Sequence, residues 1–183
     1  IATPQLGNTQ DVQARAWLSD NGIRVTQSGG DAFVIPTQNA DQLALMQKRE
    51  LDAVWTVEPW VTRLELEAGA TIFLEDRETS VTLLAARTAW LREQQVLAKR
   101  LVAAHRELTA WVLANEVEAK ALVKAELTEL KLPPKEAVLD RAFSRVVLTD
   151  AIPRESLDKM VISAQKAGFL ADIPALDQLL PVL

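Results

Sequence analysis

Cysteine is absent from the 183 residues, which removes disulfides, thiolate chemistry and every Cys-based metal site while leaving the redox compartment open. Histidine is nearly absent. The one His, His105, falls in the middle of a long helical pattern with no strand-end nucleophile placed to use it, so it reads as a surface or packing residue. One His without Cys cannot build a zinc site. Neither G-x-G-x-x-G nor G-x-x-x-x-G-K-[ST] occurs, so the dinucleotide fingerprint and the phosphate loop are both missing. No apolar run approaches the ~20 residues needed to span a bilayer. Basic residues are outnumbered by acidic ones, 20 to 25, and form no stripe, so nucleic acid is not an expected partner.

What is present is the composition of a globular chain, 49% hydrophobic and 25% charged, long enough for one domain or two small ones. From residue 1 to about 87, short apolar runs alternate with helical segments, the pattern of βα units on a mainly parallel sheet. Strands are expected at 1–3, 32–36, 52–57, 71–74 and 81–86. Asn39 with Gln42 resembles a capping box opening a helix from Ala40, Pro59 suits the first position of the next helix, and Gly69 suits its end. Gly22 and the Gly29-Gly30 pair mark loops. After residue 87 long helices take over. Val96, Leu97, Arg100, Leu101, Ala104, Leu108, Trp111 and Val112 are spaced to line one helix face, and Asn115 with Glu118 predicts a break and a new cap. Pro133-Pro134 ends the second helix, and another begins near Pro153 with Leu157, Met160, Val161 and Ala164 as its buried stripe.

Two strand ends carry the chemistry. The opening run Ile1-Ala-Thr-Pro-Gln-Leu-Gly-Asn-Thr-Gln-Asp11 reads as a strand, a glycine turn and a helix start, which aims unpaired N–H groups and the side chains of Asn8 and Thr9 at whatever lies above the strand. Plain N-capping explains the same residues, and the two roles can coexist. The run Leu51-Asp-Ala-Val-Trp-Thr-Val-Glu-Pro-Trp60 repeats the design with Glu58 and Trp60. Glu58, flanked by aromatic faces, either holds a cationic or hydrogen-bonding part of a ligand or caps its own helix with Trp60 in the core. Other carboxylates, such as Glu65, Glu67, Glu116, Glu118 and Glu126, sit at helical spacing beside Lys or Arg as solvated faces. Trp17, Trp90 and Trp111 fall within helical periods and read as packing residues.

These two runs, together with Thr82-Leu-Leu-Ala-Ala-Arg87, resemble the nitrate, taurine and aliphatic-sulfonate group of substrate-binding proteins from bacterial ABC importers, along essentially the whole chain. The resemblance implies a type II periplasmic-binding α/β fold, in which residues 1–87 form the second ligand-binding lobe and 88–183 a helical C-terminal return packing on the lobes. It implies a small polar or anionic solute held in a hinged cleft, delivery to a membrane permease, a periplasmic or extracytoplasmic location, no catalysis, no cofactor, no metal and no membrane insertion of this segment. Carried over by position, the anion-contacting turn falls on Gly7, Asn8 and Thr9, and the cleft-facing strand end on Glu58, Pro59 and Trp60, with Gln5 a further candidate ligand-binding residue. The chain lacks an initiator Met and begins inside a strand, whereas the family begins with the first part of lobe one. It is therefore expected to be a processed or truncated piece holding about half a binding site, with weak binding or none alone and an apolar surface exposed where lobe one packs. Two other classes share the fold: a thiamine-pyrimidine synthase, known for a cysteine-rich motif and active-site histidines that fit this chain badly, and a ligand-sensing module of a regulator or kinase.

Overall fold

The computed structural model describes residues 1–26 and 29–180, so the last three residues of the expected C-terminal region lie outside the described ones. In chain order the elements are β1 (Ala2–Thr3), α1 (Thr9–Asp20), β2 (Val25–Thr26), β3 (Gly29–Gly30), β4 (Ile35–Pro36), α2 (Asn39–Gln47), α3 (Trp60–Ala68), α4 (Thr88–Glu93), α5 (Gln95–Ala114), α6 (Glu116–Glu129), α7 (Glu136–Arg145) and α8 (Arg154–Lys166), followed by a 3-10 turn at Leu176–Gln178. They form two compact units, Ile1–Val81 with Pro153–Ala175, and Thr82–Ile152 with Leu176–Leu183.

The first unit is organised around β1, both of whose residues are buried. β1 pairs in parallel with β4 in the register Ala2↔Ile35 and Thr3↔Pro36. On its other side the backbone of residues 53–55 runs parallel to it, with Ala2 N–H donating to Ala53 O and Trp55 N–H to Ala2 O, both at 2.9 Å. Three parallel segments therefore end at one rim, and the chain leaves each of them into a helix: α1, α2 and α3. Ala2, Val12, Ala14, Ala16, Leu18, Val34, Leu43 and Leu64 supply the apolar core. α8 packs along α1, and α3 against α2. Trp17 packs against Trp55 and Phe73, each with ring centroids 6.2 Å away.

A buried ion pair ties this unit together. Asp11 is 0% exposed and Arg15, one helical turn on, is 3% exposed. The Asp11 carboxylate accepts from Thr3 Oγ1 at 2.8 Å, from Gly7 N–H at 2.9 Å and from Arg15 Nε at 3.0 Å. Arg15 also donates from Nη1 to the carbonyl of Thr26 at 2.6 Å and from Nη2 to that of Val34 at 3.0 Å. One charge pair thus holds β1, the turn after it, β2 and the approach to β4 on the side of α1. A second tether lies at Asp76, which accepts from Gln13 Nε2 at 2.8 Å and from Thr79 Oγ1 at 2.7 Å, while Ser80 N–H donates to the buried Ser156 hydroxyl on α8 at 2.7 Å.

In the second unit α4 to α7 follow one another with short connections, and its described core is thin: Ala98, Ala119, Val138, Leu139, Ala142 and Leu176. Asn115 separates α5 from α6 as expected, but by a different device. Its side chain caps nothing, and its Nδ2 instead donates back to Trp111 O at 2.9 Å.

The structure corrects several expectations. Residues 71–74 and 81–86 have strand composition but no ladder partner among the described residues, and Phe73 and Leu84 are largely exposed. Composition reports a tendency to extend, and a strand exists only when a neighbour accepts its hydrogen bonds. The Asn39 and Gln42 capping box does not form: Gln38 is the N-cap, Asn39 Oδ1 accepts from Thr56 Oγ1 at 3.0 Å, and Gln42 Nε2 donates to Thr37 O at 2.8 Å. Pro59 is the N-cap of α3, one residue before the position expected. Gly29-Gly30 is half of an antiparallel ribbon with β2, where a Cβ on Gly30 would stand 2.2 Å from Arg24 O. α4 and α7 answer to no expected helix. The stripe expected on α8, Leu157 to Ala164, is half-buried, and the face expected on α5 is largely exposed.

Two predictions follow from these tethers. Arg15→Met leaves the Asp11 carboxylate buried without its cation and is expected to destabilise the chain by about 3–5 kcal/mol in chemical denaturation. For Asp76, burial pushes the carboxyl up, but hydrogen bonds from the Thr79 hydroxyl and the Glu78 and Thr79 N–H groups, with Lys159 nearby, outweigh it and hold the group below its ordinary 3.8. A carboxyl so depressed stabilises the fold above its unfolded value and loses that contribution as pH falls through the folded one. The stability gap between the protein and its Asp76→Asn variant should therefore be present at neutral pH and close below about pH 4, as read by denaturation at several pH values.

Candidate functional site

The turn after β1 is built by Gly7 and Asn8. Gly7 takes φ +72, a left-handed conformation that favours glycine, and a Cβ there would meet the ring of Phe169 at 3.4 Å. Its N–H is spent on Asp11, which fixes the turn from below. Asn8 is the N-cap of α1, its Oδ1 accepting from Asp11 N–H at 2.9 Å, and its own N–H donates to Gln5 O at 3.3 Å. Capping is therefore in place. Among the described residues no partner takes the Asn8 Nδ2 donors, the Thr9 hydroxyl, or the N–H groups of Thr9 and Gln10 at the open end of α1. Gln5, whose carbonyl accepts from Asn8 N–H, is itself exposed.

The strand end at residues 53–57 is spent differently. Glu58 Oε2 accepts from Thr62 N–H at 3.1 Å and Oε1 from Thr62 Oγ1 at 3.0 Å, so the carboxylate closes the first turn of α3. The N–H groups of Trp60 and Val61 donate to Val57 O, and that of Arg63 to Pro59 O. The Glu58–Pro59 peptide is cis. Trp60 is half-buried with the Arg63 guanidinium 4.7 Å above its ring, and Arg63 in turn pairs with Glu67 at 3.2 Å. Of the two readings open for Glu58, helix capping is the geometry observed. β1 and its neighbouring segment are adjacent and parallel, so the Asn8 and Glu58 corners share one rim of the sheet.

A third corner was not singled out from the sequence. α2 also opens at this rim, and its N-cap, Gln38, makes no side-chain cap. The N–H groups of Asn39, Ala40 and Asp41 have no acceptor among the described residues. Thr56 Oγ1, donating to Asn39 Oδ1, links this corner to the strand end at residues 53–57. Behind it, Gln42 is 0% exposed and its Oε1 is unpaired among the described residues. The readable signal was Gln at position 38, a poor capping residue in front of a helix. His105 lies exposed on α5. Among the described residues no cluster of three or more His, Asp or Glu is placed to hold a metal, and no helix is long and apolar enough to cross a membrane.

Compared with known families, the chain matches the model of the NMT1-like family over residues 1–126, more than half its length. Neither a curated protein nor a solved structure matches it.

Asn8→Ala removes the side-chain acceptor on Asp11 N–H and is expected to cost about 1 kcal/mol in thermal or chemical unfolding.

Proposed function

The chain belongs to the NMT1-like family, and on that footing we propose that it is the solute-binding component of an ABC importer, capturing a small polar or anionic solute of the sulfonate, nitrate or taurine kind. The observation that carries this reading is the open end of α1. Gly7, held by Asp11, turns the chain so that Asn8, Thr9 and two unpaired N–H groups face the rim, an arrangement suited to an oxyanion. Gln5 stands beside this cradle, and α2 offers a second open helix end at the same rim. Glu58 orders the neighbouring strand end, and Trp60 offers the ligand the ring face not covered by Arg63. In this reading the unit that carries the cradle acts as one lobe of a cleft that closes by a hinge, and the bound solute is handed to a membrane permease outside the cytoplasm. The family is mostly made of non-enzymatic substrate-binding proteins but includes thiamine pyrimidine synthase; a chain with no Cys and an exposed lone His favours the former.

Nitrogen-15 NMR titration with ethanesulfonate, taurine or nitrate up to about 20 mM, a range that reaches millimolar affinity, is expected to move the Thr9 and Gln10 amides most. Thr9→Val leaves the Asn8 cap intact and should lower the affinity at least about fivefold while changing stability by less than about 0.5 kcal/mol. Amides at Thr9 and Gln10 that stay still with all three anions would remove the cradle.

A further inference from the structure

α5 carries an apolar seam that its own unit leaves open. Leu97, Leu101, Ala104, Leu108 and Trp111 recur at intervals of four, three, four and three residues, the spacing of a coiled-coil seam. Leu97, Leu101 and Leu108 are 52%, 46% and 58% exposed and Ala104 is exposed with them, whereas Trp111, at the C-terminal end of the seam, is half-buried. The side of α5 turned into the unit is a different one, marked by the buried Ala98 and the half-buried Val102, Thr109 and Val112. Along the outer margin of the seam, one heptad apart, stand Arg100 and Glu107, both exposed and neither with an ion-pair partner among the described residues.

We propose that this seam is the contact face for a second copy of the chain, the two α5 helices packing antiparallel about a two-fold axis. The charges select that occupant and that register. With Leu101 layered on the partner copy's Ala104 and Leu97 on its Leu108, the arrangement has four apolar layers, large residue against small at the centre. In the same register Arg100 of each copy meets Glu107 of the other, so a single surface satisfies itself twice, as an isologous contact requires. Sliding the pair by one heptad either way brings Glu107 onto Glu107 or Arg100 onto Arg100. A parallel pair places Arg100 beside His105 and Glu107 beside Val112 and gains no opposite-charge contact. Like-charge clashes of this kind are how helical pairs reject the wrong register.

Four layers fall short of a standard interface of about 800 Å² per partner, so the dimer is expected to be weak, with Kd on the order of 10–100 µM. Sedimentation equilibrium of the full chain from about 5 to about 300 µM should show a monomer–dimer equilibrium by mass action. Arg100→Glu and Glu107→Arg, both at exposed positions, should each weaken it at least about tenfold at low salt with unchanged circular dichroism, and the double variant should return to within about threefold of the parent. A chain that stays monomeric throughout, a dimer indifferent to Arg100→Glu, or a double variant no tighter than the single ones overturns the proposal.

Discussion

Nearly everything placed at the rim of the sheet depends on two charges that never reach water. Asp11 and Arg15 are spaced for a surface helix pair, yet both are buried, and burial of an ion pair is tolerated only when the remaining donors and acceptors are also met. Here four groups serve that need, three of them backbone, the Gly7 N–H and the carbonyls of Thr26 and Val34, and the fourth the side-chain hydroxyl of Thr3 on β1. A two-residue strand has little ladder energy of its own. The position of β1 is therefore set as much by a side chain pointing back from the helix that follows it as by its neighbours in the sheet.

The same pair decides which polar groups are left over. Because Asp11 takes the Gly7 N–H and Asn8 caps the Asp11 N–H, the donors still open are confined to Asn8 Nδ2, Thr9 and Gln10. At the neighbouring corner Glu58 and Val57 absorb the first N–H groups of α3. Three parallel segments ending in helices would otherwise present three equivalent positive ends; the side chains make them unequal, with α1 and α2 open and α3 closed.

Features that rest on near neighbours in sequence could be read before any coordinates. The glycine turn into α1, the left-handed Gly69 at the end of α3, the break at Asn115 and the helix start after Pro153 are all local events, decided within about one turn. The failures share the opposite property. Asn39 abandons its capping box because Thr56, seventeen residues on, competes for its oxygen. Residues 71–74 and 81–86 carry the right side chains for strands, but pairing depends on a neighbour the sequence cannot point to. The α2 corner was overlooked because its interest lies in what Gln38 does not do. Asp11 and Arg15 were invisible as a core because their spacing is that of ordinary solvated pairs.

The first unit is discontinuous, and this bears on how the chain is born. The ring beneath Gly7 and 6.0 Å from the Arg15 guanidinium belongs to Phe169, and the helix lying along α1 is α8, yet residues 82–152 must be synthesised before either emerges. From the end of α1 at Asp20 to Phe169 the ribosome adds about 150 residues, and at translation speeds of about 5–20 residues per second that is a wait of roughly 7–30 s, during which β1, α1 and the turn between them stand without their floor. Over that interval the apolar surface that α8 and Phe169 later cover lies open to other chains, and the late-arriving helix is what closes it.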